Sequence, residues 1–150
     1  MLILDRAWST RGKELANAYR STDICIIIGN SIHFRYYGWY NLSGDLDAAC
    51  YGLNQELDFW EKQNKPVMIT EYGADAVAGI HECVPEMFSE EFQVEFYKRQ
   101  NAEFDRRKFF IGEHVWNFAD FATVQGCMRV DGNKKGLSRP LGFAVIPESL

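Results

Sequence analysis

Two carboxylates close two apolar runs in this chain, and their type and spacing suit chemistry. Pro66-Val-Met-Ile-Thr-Glu71 ends in Glu71, and Lys108-Phe-Phe-Ile-Gly-Glu113 ends in Glu113. A carboxylate at the end of a buried strand can serve as a nucleophile, a base or a metal ligand. Two carboxyl groups on neighbouring strand ends, about 5–5.5 Å apart, can cleave a glycosidic bond with retention, one as nucleophile and one as acid/base. An ion pair is the competing role for either residue, and for Glu113 it is the favoured one.

Three other groups have suitable chemistry. Tyr36 and Tyr37 precede Gly38, and a phenol there can hydrogen-bond a carboxylate and hold it ionised. Core packing is the alternative. Trp116 follows the second run and can make an apolar platform under a sugar ring, with simple burial as the alternative. Gly132-Asn133-Lys134-Lys135-Gly136 offers directed amide donors and ammonium point charges to a carboxylate. A solvated surface turn is the alternative there. The segment lacks the glycine spacing and the Ser or Thr of a phosphate loop.

The elements that must position these groups follow from the apolar spacing. Residues 11–20 read as a short helix with Leu15, Ala18 and Tyr19 on one side. Ile24–Ile28 is a β-branched run and reads as a buried strand, broken at Gly29-Asn30. His33–Tyr37 is a second extended piece or the true end of the same strand. Asp45 can cap a helix whose stripe is Leu46, Ala49, Leu53, Leu57 and Trp60. Lys62 and Lys65 suit its C-terminal dipole, and Pro66 stops it. The strand ending at Glu71 comes next, then a long loop over 72–88. A second helix starts at Ser89, with Glu90 and Glu91 in its first turn and Arg106 and Arg107 near its end. Phe92, Phe96, Tyr97 and Phe104 form its buried side. The run ending at Glu113 is the third strand. Alternating strands and helices imply an α/β fold with a parallel sheet.

Composition limits the class. The chain has 150 residues, 47% of them hydrophobic and 15% aromatic, which fits one globular domain. A net charge of -5 argues against a nucleic-acid partner. No apolar run approaches the roughly 20 residues of a membrane span, and the apolar N-terminus is too short for a signal peptide. Cys25, Cys50, Cys83 and Cys127 show no metal-type pairing and read as reduced, packed thiols. His33, His81 and His114 are scattered, so no metal and no cofactor are expected. Asn41-Leu-Ser43 is a glycosylation sequon, usable only in a secretory compartment.

Four segments then stand together in order: Arg35-Tyr-Tyr-Gly-Trp-Tyr40, Ile69-Thr-Glu-Tyr-Gly73, Trp116-Asn-Phe-Ala-Asp-Phe121 and Gly132-Asn-Lys-Lys-Gly136. From Arg35 to Gly136 the chain resembles the C-terminal part of the TIM-barrel catalytic domain of β-glucuronidases, in glycoside hydrolase family 2. The Asn-Lys-Lys turn sets that family apart from the related galactosidases. The resemblance implies a partial (β/α)8 barrel of three to four parallel strands. It implies retaining hydrolysis of β-D-glucuronosides, with Glu71 as nucleophile and Tyr36 supporting it. Tyr40 and Trp116 match residues lining the sugar site. Asn133 and Lys135 match the pair that recognises the glucuronate carboxylate, and Arg129 a nearby substrate-site arginine. The implied partners are glucuronic-acid-containing glycosides and either a homo-oligomer or a second chain supplying the rest of the barrel. A lysosomal location would follow if the animal enzymes are the guide.

Departures from the family pattern are equally plain. The family's acid/base glutamate lies in an Asn-Glu-Pro motif, and no such motif occurs in this chain. Phe34 stands where the family has Asn, and Gly29–His33 resembles an insertion. After Gly136 the family's basic loop and final helix are missing. The resemblance therefore implies a chain that is inactive and association-prone by itself. A glucuronate-binding remnant without catalysis and a truncated gene product are the alternatives.

Overall fold

The computed structural model describes residues 36–138 together with the backbone of β1 (Ile26–Ile28). The helix expected over 11–20, the segment 33–35 and the tail from 139 lie outside the described residues. The other elements are α1 (Leu46–Glu61), β2 (Val67–Tyr72), α2 (Glu90–Asp105) and β3 (Phe110–Val115). The three strands form one parallel sheet in the order β1-β2-β3.

Both helices form where apolar spacing and caps demand. The Asp45 carboxylate accepts from the Ala48 N–H at 2.9 Å, and Leu46, Ala49, Leu53 and Leu57 are the buried stripe of α1. The Ser89 hydroxyl accepts from the Phe92 N–H at 3.1 Å and caps α2. Burying Phe92, Phe96 and Phe104 contributes about 1.5–3 kcal/mol per ring before the entropy of ordering. Tyr72 carries this core into the sheet, since its ring meets Phe96, Tyr97 and Phe104.

The basic residues after each helix stand where the helix dipole favours a cation. Lys62 and Arg106 are C-caps, and neither helix has a base in its last turn. Arg106 pairs with Glu103 at 2.8 Å. Arg107 instead reaches across to α1, bonding Asp58 at 2.5 Å, Asn54 at 2.6 Å and Glu61 at 3.2 Å. It clamps the two helices together. The thiols depart from expectation. Cys83 and Cys127 are exposed and Cys50 is half-buried, so none of the three is a core residue.

Two irregularities in the sheet decide which side chains reach which face. Val67 pairs with Phe110, but Met68 pairs with Gly112, so β3 holds one extra residue there. Ile69 pairs with Glu113 and Tyr72 with Val115, so β2 holds one extra residue in its upper half. Thr70 and Glu71 therefore share the position opposite His114. An extra residue reverses the alternation beyond it. Ile69 and Tyr72 both enter the core, three residues apart, and Glu71 is left on the opposite face.

Gly73 follows at once, and its lack of a side chain is required by a close approach. A Cβ there would land on the Trp116 carbonyl oxygen and within 2.8 Å of the Tyr97 hydroxyl. Gly73→Ala is expected to destabilise the fold by about 1–3 kcal/mol through overpacking. A lower urea midpoint with an unchanged slope is the measurement.

Candidate active site

The Glu71 carboxylate stands at the C-terminal end of β2, half-buried. The Tyr36 hydroxyl donates to its Oε1 at 2.6 Å. Burial, then the hydrogen bond and charge of Glu71, push the Tyr36 phenol far above its usual range, so it stays a donor. Tyr36 itself has φ of 45°, a left-handed conformation uncommon for a bulky residue. Its turn is tied by the Trp39 and Tyr40 N–H groups, which both donate to the Tyr36 carbonyl.

From Tyr36 the contacts run on without a break. Its ring meets the edge of Tyr40 at 5.1 Å. The Lys135 ammonium donates to the Tyr40 hydroxyl at 3.1 Å and lies 4.7 Å from that ring and 4.9 Å from the Trp39 ring. It also salt-bridges Asp75, and both side chains are fully buried. Burial pushes the Lys135 ammonium down to about 8, against the opposing pull of Asp75. The Arg129 guanidinium stacks 5.6 Å over Tyr40 and donates to the Asn133 side-chain carbonyl. Asn133 is fully buried and donates to Asn117 at 2.8 Å. Asn117 adjoins Trp116, which is 38% exposed, its ring edge-on to Phe121.

The structure thus gathers Tyr36, Tyr40, Glu71, Arg129, Asn133 and Lys135 at the C-terminal end of the sheet, with Trp116 beside them. The two lysines of the 132–136 turn point opposite ways. Lys134 faces outward to Asp131 at 3.2 Å, while Lys135 goes in, so this is no solvated turn. Glu113 does not join the site. It is buried, pairs with Ile69 and shares that residue's face of the sheet. The expectation of two equivalent carboxylates at neighbouring strand ends is corrected by the two register shifts.

Residues 14–139 match the family described as glycosyl hydrolases family 2, TIM barrel domain. The chain belongs to glycosyl hydrolase family 2. As a member of that family it is 53% identical over 104 residues to a β-glucuronidase of Paenibacillus borealis, covering 69% of this chain and 17% of that protein. The solved β-glucuronidase of Faecalibacterium prausnitzii is 65% identical, with a TM-score of 0.71 over 84% of this chain and 20% of that one. A Bifidobacterium dentium β-glucuronidase, complexed with coumarin-3-O-glucuronide, is 60% identical, with a TM-score of 0.70 over 81% and 18%. The chain therefore spans about a fifth or less of the length of these relatives. The sheet is a part of a family 2 TIM barrel, and the site stands at the end of the strands where such barrels carry their chemistry.

Asp75, Asn117 and the glutamines of α2 escaped the sequence reading. Gln93 donates to the Ala74 carbonyl and Gln100 to the Tyr37 carbonyl, each at 2.8 Å. They pin the loop segments next to Tyr36 and Asp75. The available signal was their place: polar residues at positions 93 and 100 fall on the same helical face as Phe96 and Phe104. Among the described residues, no group of His, Cys, Asp and Glu could hold a metal ion, and no helix is long and apolar enough to cross a membrane.

Proposed function

We propose that this chain carries the nucleophile and the uronate-recognising part of a retaining β-glucuronidase. The observation that carries the proposal is the unbroken path of contacts from Glu71 through Tyr36 and Tyr40 to Lys135. It joins a carboxylate poised for attack to a cation able to hold the substrate's own carboxylate. Glu71 attacks the anomeric carbon, the aglycone oxygen leaves, and a glucuronyl ester forms on Glu71. Water then cleaves that ester. Tyr36 orients and stabilises the attacking carboxylate throughout. Arg129, Asn133 and Lys135 supply charge and directed donors for the uronate, and Trp116 a platform for the ring. A neutral hexose would leave the buried Lys135 cation without its substrate partner, which sets specificity.

The resemblance puts the acid/base carboxyl in an Asn-Glu-Pro motif that these 150 residues lack, and Glu113 pairs with Ile69, away from Glu71. General acid–base help is worth about 10²–10⁴-fold, so this chain alone does not turn over ordinary glucuronides. Barrel closure needs eight strands, and the described sheet has three. The rest of the barrel, in this or another chain, completes the site.

A donor that needs no protonation separates the nucleophile from the missing acid. The chain is incubated with 2-deoxy-2-fluoro-β-glucuronyl fluoride, whose fluoride leaves unaided and whose ester hydrolyses slowly. Mass spectrometry is expected to find one fluoroglucuronyl group on the peptide containing Glu71, with no hydrolysis of an aryl glucuronide. A folded chain that binds glucuronate equally well with Glu71→Gln, and is never labelled, would show a binding remnant instead.

A further inference from the structure

Asp75 has no role in the chemistry proposed above, yet it is a fully buried charge paired with a fully buried cation. It lies three residues past the end of β2, fully buried, in a segment fixed from three sides. Gln93 holds the Ala74 carbonyl, the Ala76 N–H donates to the Lys134 carbonyl at 2.9 Å, and the Lys134 N–H approaches the Asp75 carboxylate at 3.4 Å. Isolated buried carboxylates are costly, and they persist where they are paired. The partner here is Lys135. We infer that Asp75 is a specificity-determining positioning residue: it holds the Lys135 side chain as a cation, aimed at the sugar site, so that the site accepts an acidic sugar and rejects a neutral one.

The geometry around the ammonium carries this assignment. Asp75 takes it from one side, and the aromatic faces of Trp39, Tyr40 and Tyr36 line the other, at 4.9, 4.7 and 5.8 Å. Aromatic faces favour a cation but contribute far less than a desolvated carboxylate. Among the described residues, the other acceptor the ammonium uses is the Tyr40 hydroxyl, and Tyr40 is 41% exposed. Tyr40 is therefore the exchangeable side, where a uronate oxygen takes over, and Asp75 is the permanent side. The charged groups facing Lys135 are Asp75 from the loop after β2, Glu71 from β2 and Arg129 from its own loop. Tyr36 and Tyr40, from the loop after β1, both ionise above their usual range and stay neutral. Among the described residues, only Asp75 touches the ammonium with a negative charge. Burial already favours the neutral amine, so losing Asp75 leaves Lys135 uncharged near neutral pH.

The inference rests on the reading that Lys135 receives the glucuronate carboxylate, and its test keeps the two apart. The chain is labelled with ¹³C-lysine, and the Lys135 titration is followed by NMR in the wild type, Asp75→Asn and Asp75→Glu. Glucuronate and glucose affinities are measured by calorimetry on the same proteins and on Lys135→Gln. In Asp75→Asn the Lys135 midpoint is expected to fall by more than about one pH unit. Glucuronate affinity at pH 7.5 should fall about tenfold or more, recover as pH is lowered, and leave glucose unaffected. Asp75→Glu should restore part of the loss. If Asp75→Asn fails to fold, Lys135→Gln and Asp75→Asn/Lys135→Gln are compared, because the double variant buries no unpaired charge. Equal glucuronate affinity in those two supports action through Lys135, and a further loss in the double variant overturns it. An unchanged Lys135 midpoint, or unchanged glucuronate affinity in a wild type that binds it, overturns the Asp75 role alone. A wild type that does not bind glucuronate sinks the recognition reading, and the Asp75 role with it.

Discussion

Glu71→Gln abolishes capture of the fluorinated glucuronyl donor, a loss expected to be on the order of 10⁴-fold or more, as for other covalent nucleophiles. An amide oxygen is too weak a nucleophile to displace fluoride at carbon, and among the described residues no other carboxylate takes the Tyr36 hydrogen bond. Tyr36→Phe separates support from chemistry. It removes the 2.6 Å hydrogen bond to Glu71 and leaves the ring and its contact with Tyr40. A hydrogen bond to a charged group is worth about 1.5–3 kcal/mol, so labelling should slow by about 10–150-fold and not stop. The stoichiometry and the labelled residue should stay the same. Labelling rates, followed by mass spectrometry over hours, distinguish the two variants. Equal rates in Tyr36→Phe and wild type would remove Tyr36 from the mechanism. The left-handed backbone of Tyr36 gives an independent reason to expect an effect. Such a conformation costs about 1–3 kcal/mol and persists where the surroundings hold it, and here the hydroxyl it aims is the one on Glu71.

Helices were easy to read in this chain because periodicity and caps are local. Leu46, Ala49, Leu53 and Leu57 lie on one stripe whatever the fold, and Asp45 and Ser89 mark their helices by side-chain chemistry alone. The apolar runs begin about two residues before β3 and one before β2, because turn residues there are apolar too. Phe109, outside β3, is as buried as a strand residue. Faces were harder. Simple alternation along Ile69-Thr-Glu-Tyr puts Glu71 with Ile69, and only the register against β3 shows otherwise. That register depends on residues forty positions away, so no local pattern contains it. The same limit hid the difference between Lys134 and Lys135. Adjacent identical residues have one local signature, and only Asp75, sixty residues upstream, selects which one is buried.

Recognition of glucuronate is expected to fail as pH rises through about 8, and the sign follows from the Lys135 ammonium. Its proton is lost in the folded chain near that pH and in the unfolded chain only near the ordinary lysine value of 10.5. Below about 8 the cation is present and can pair with a uronate carboxylate. Above it the site holds a neutral amine, and the pairing is gone. Stability moves the other way. Between about 8 and 10.5 the unfolded chain binds the extra proton, so this group makes unfolding less favourable as pH rises. Weaker binding at pH 9 in a chain that melts no earlier therefore marks a titration and not denaturation. Lys135→Gln should remove the pH step and lower glucuronate affinity at pH 7 by roughly 10²–10³-fold, the usual loss when a buried hydrogen-bonded charge pair is broken. Affinity for glucose should change little, because a neutral sugar never used the cation. Calorimetric titration of both sugars from pH 6 to 9 tests this. A pH step that persists in Lys135→Gln would move the titrating group elsewhere.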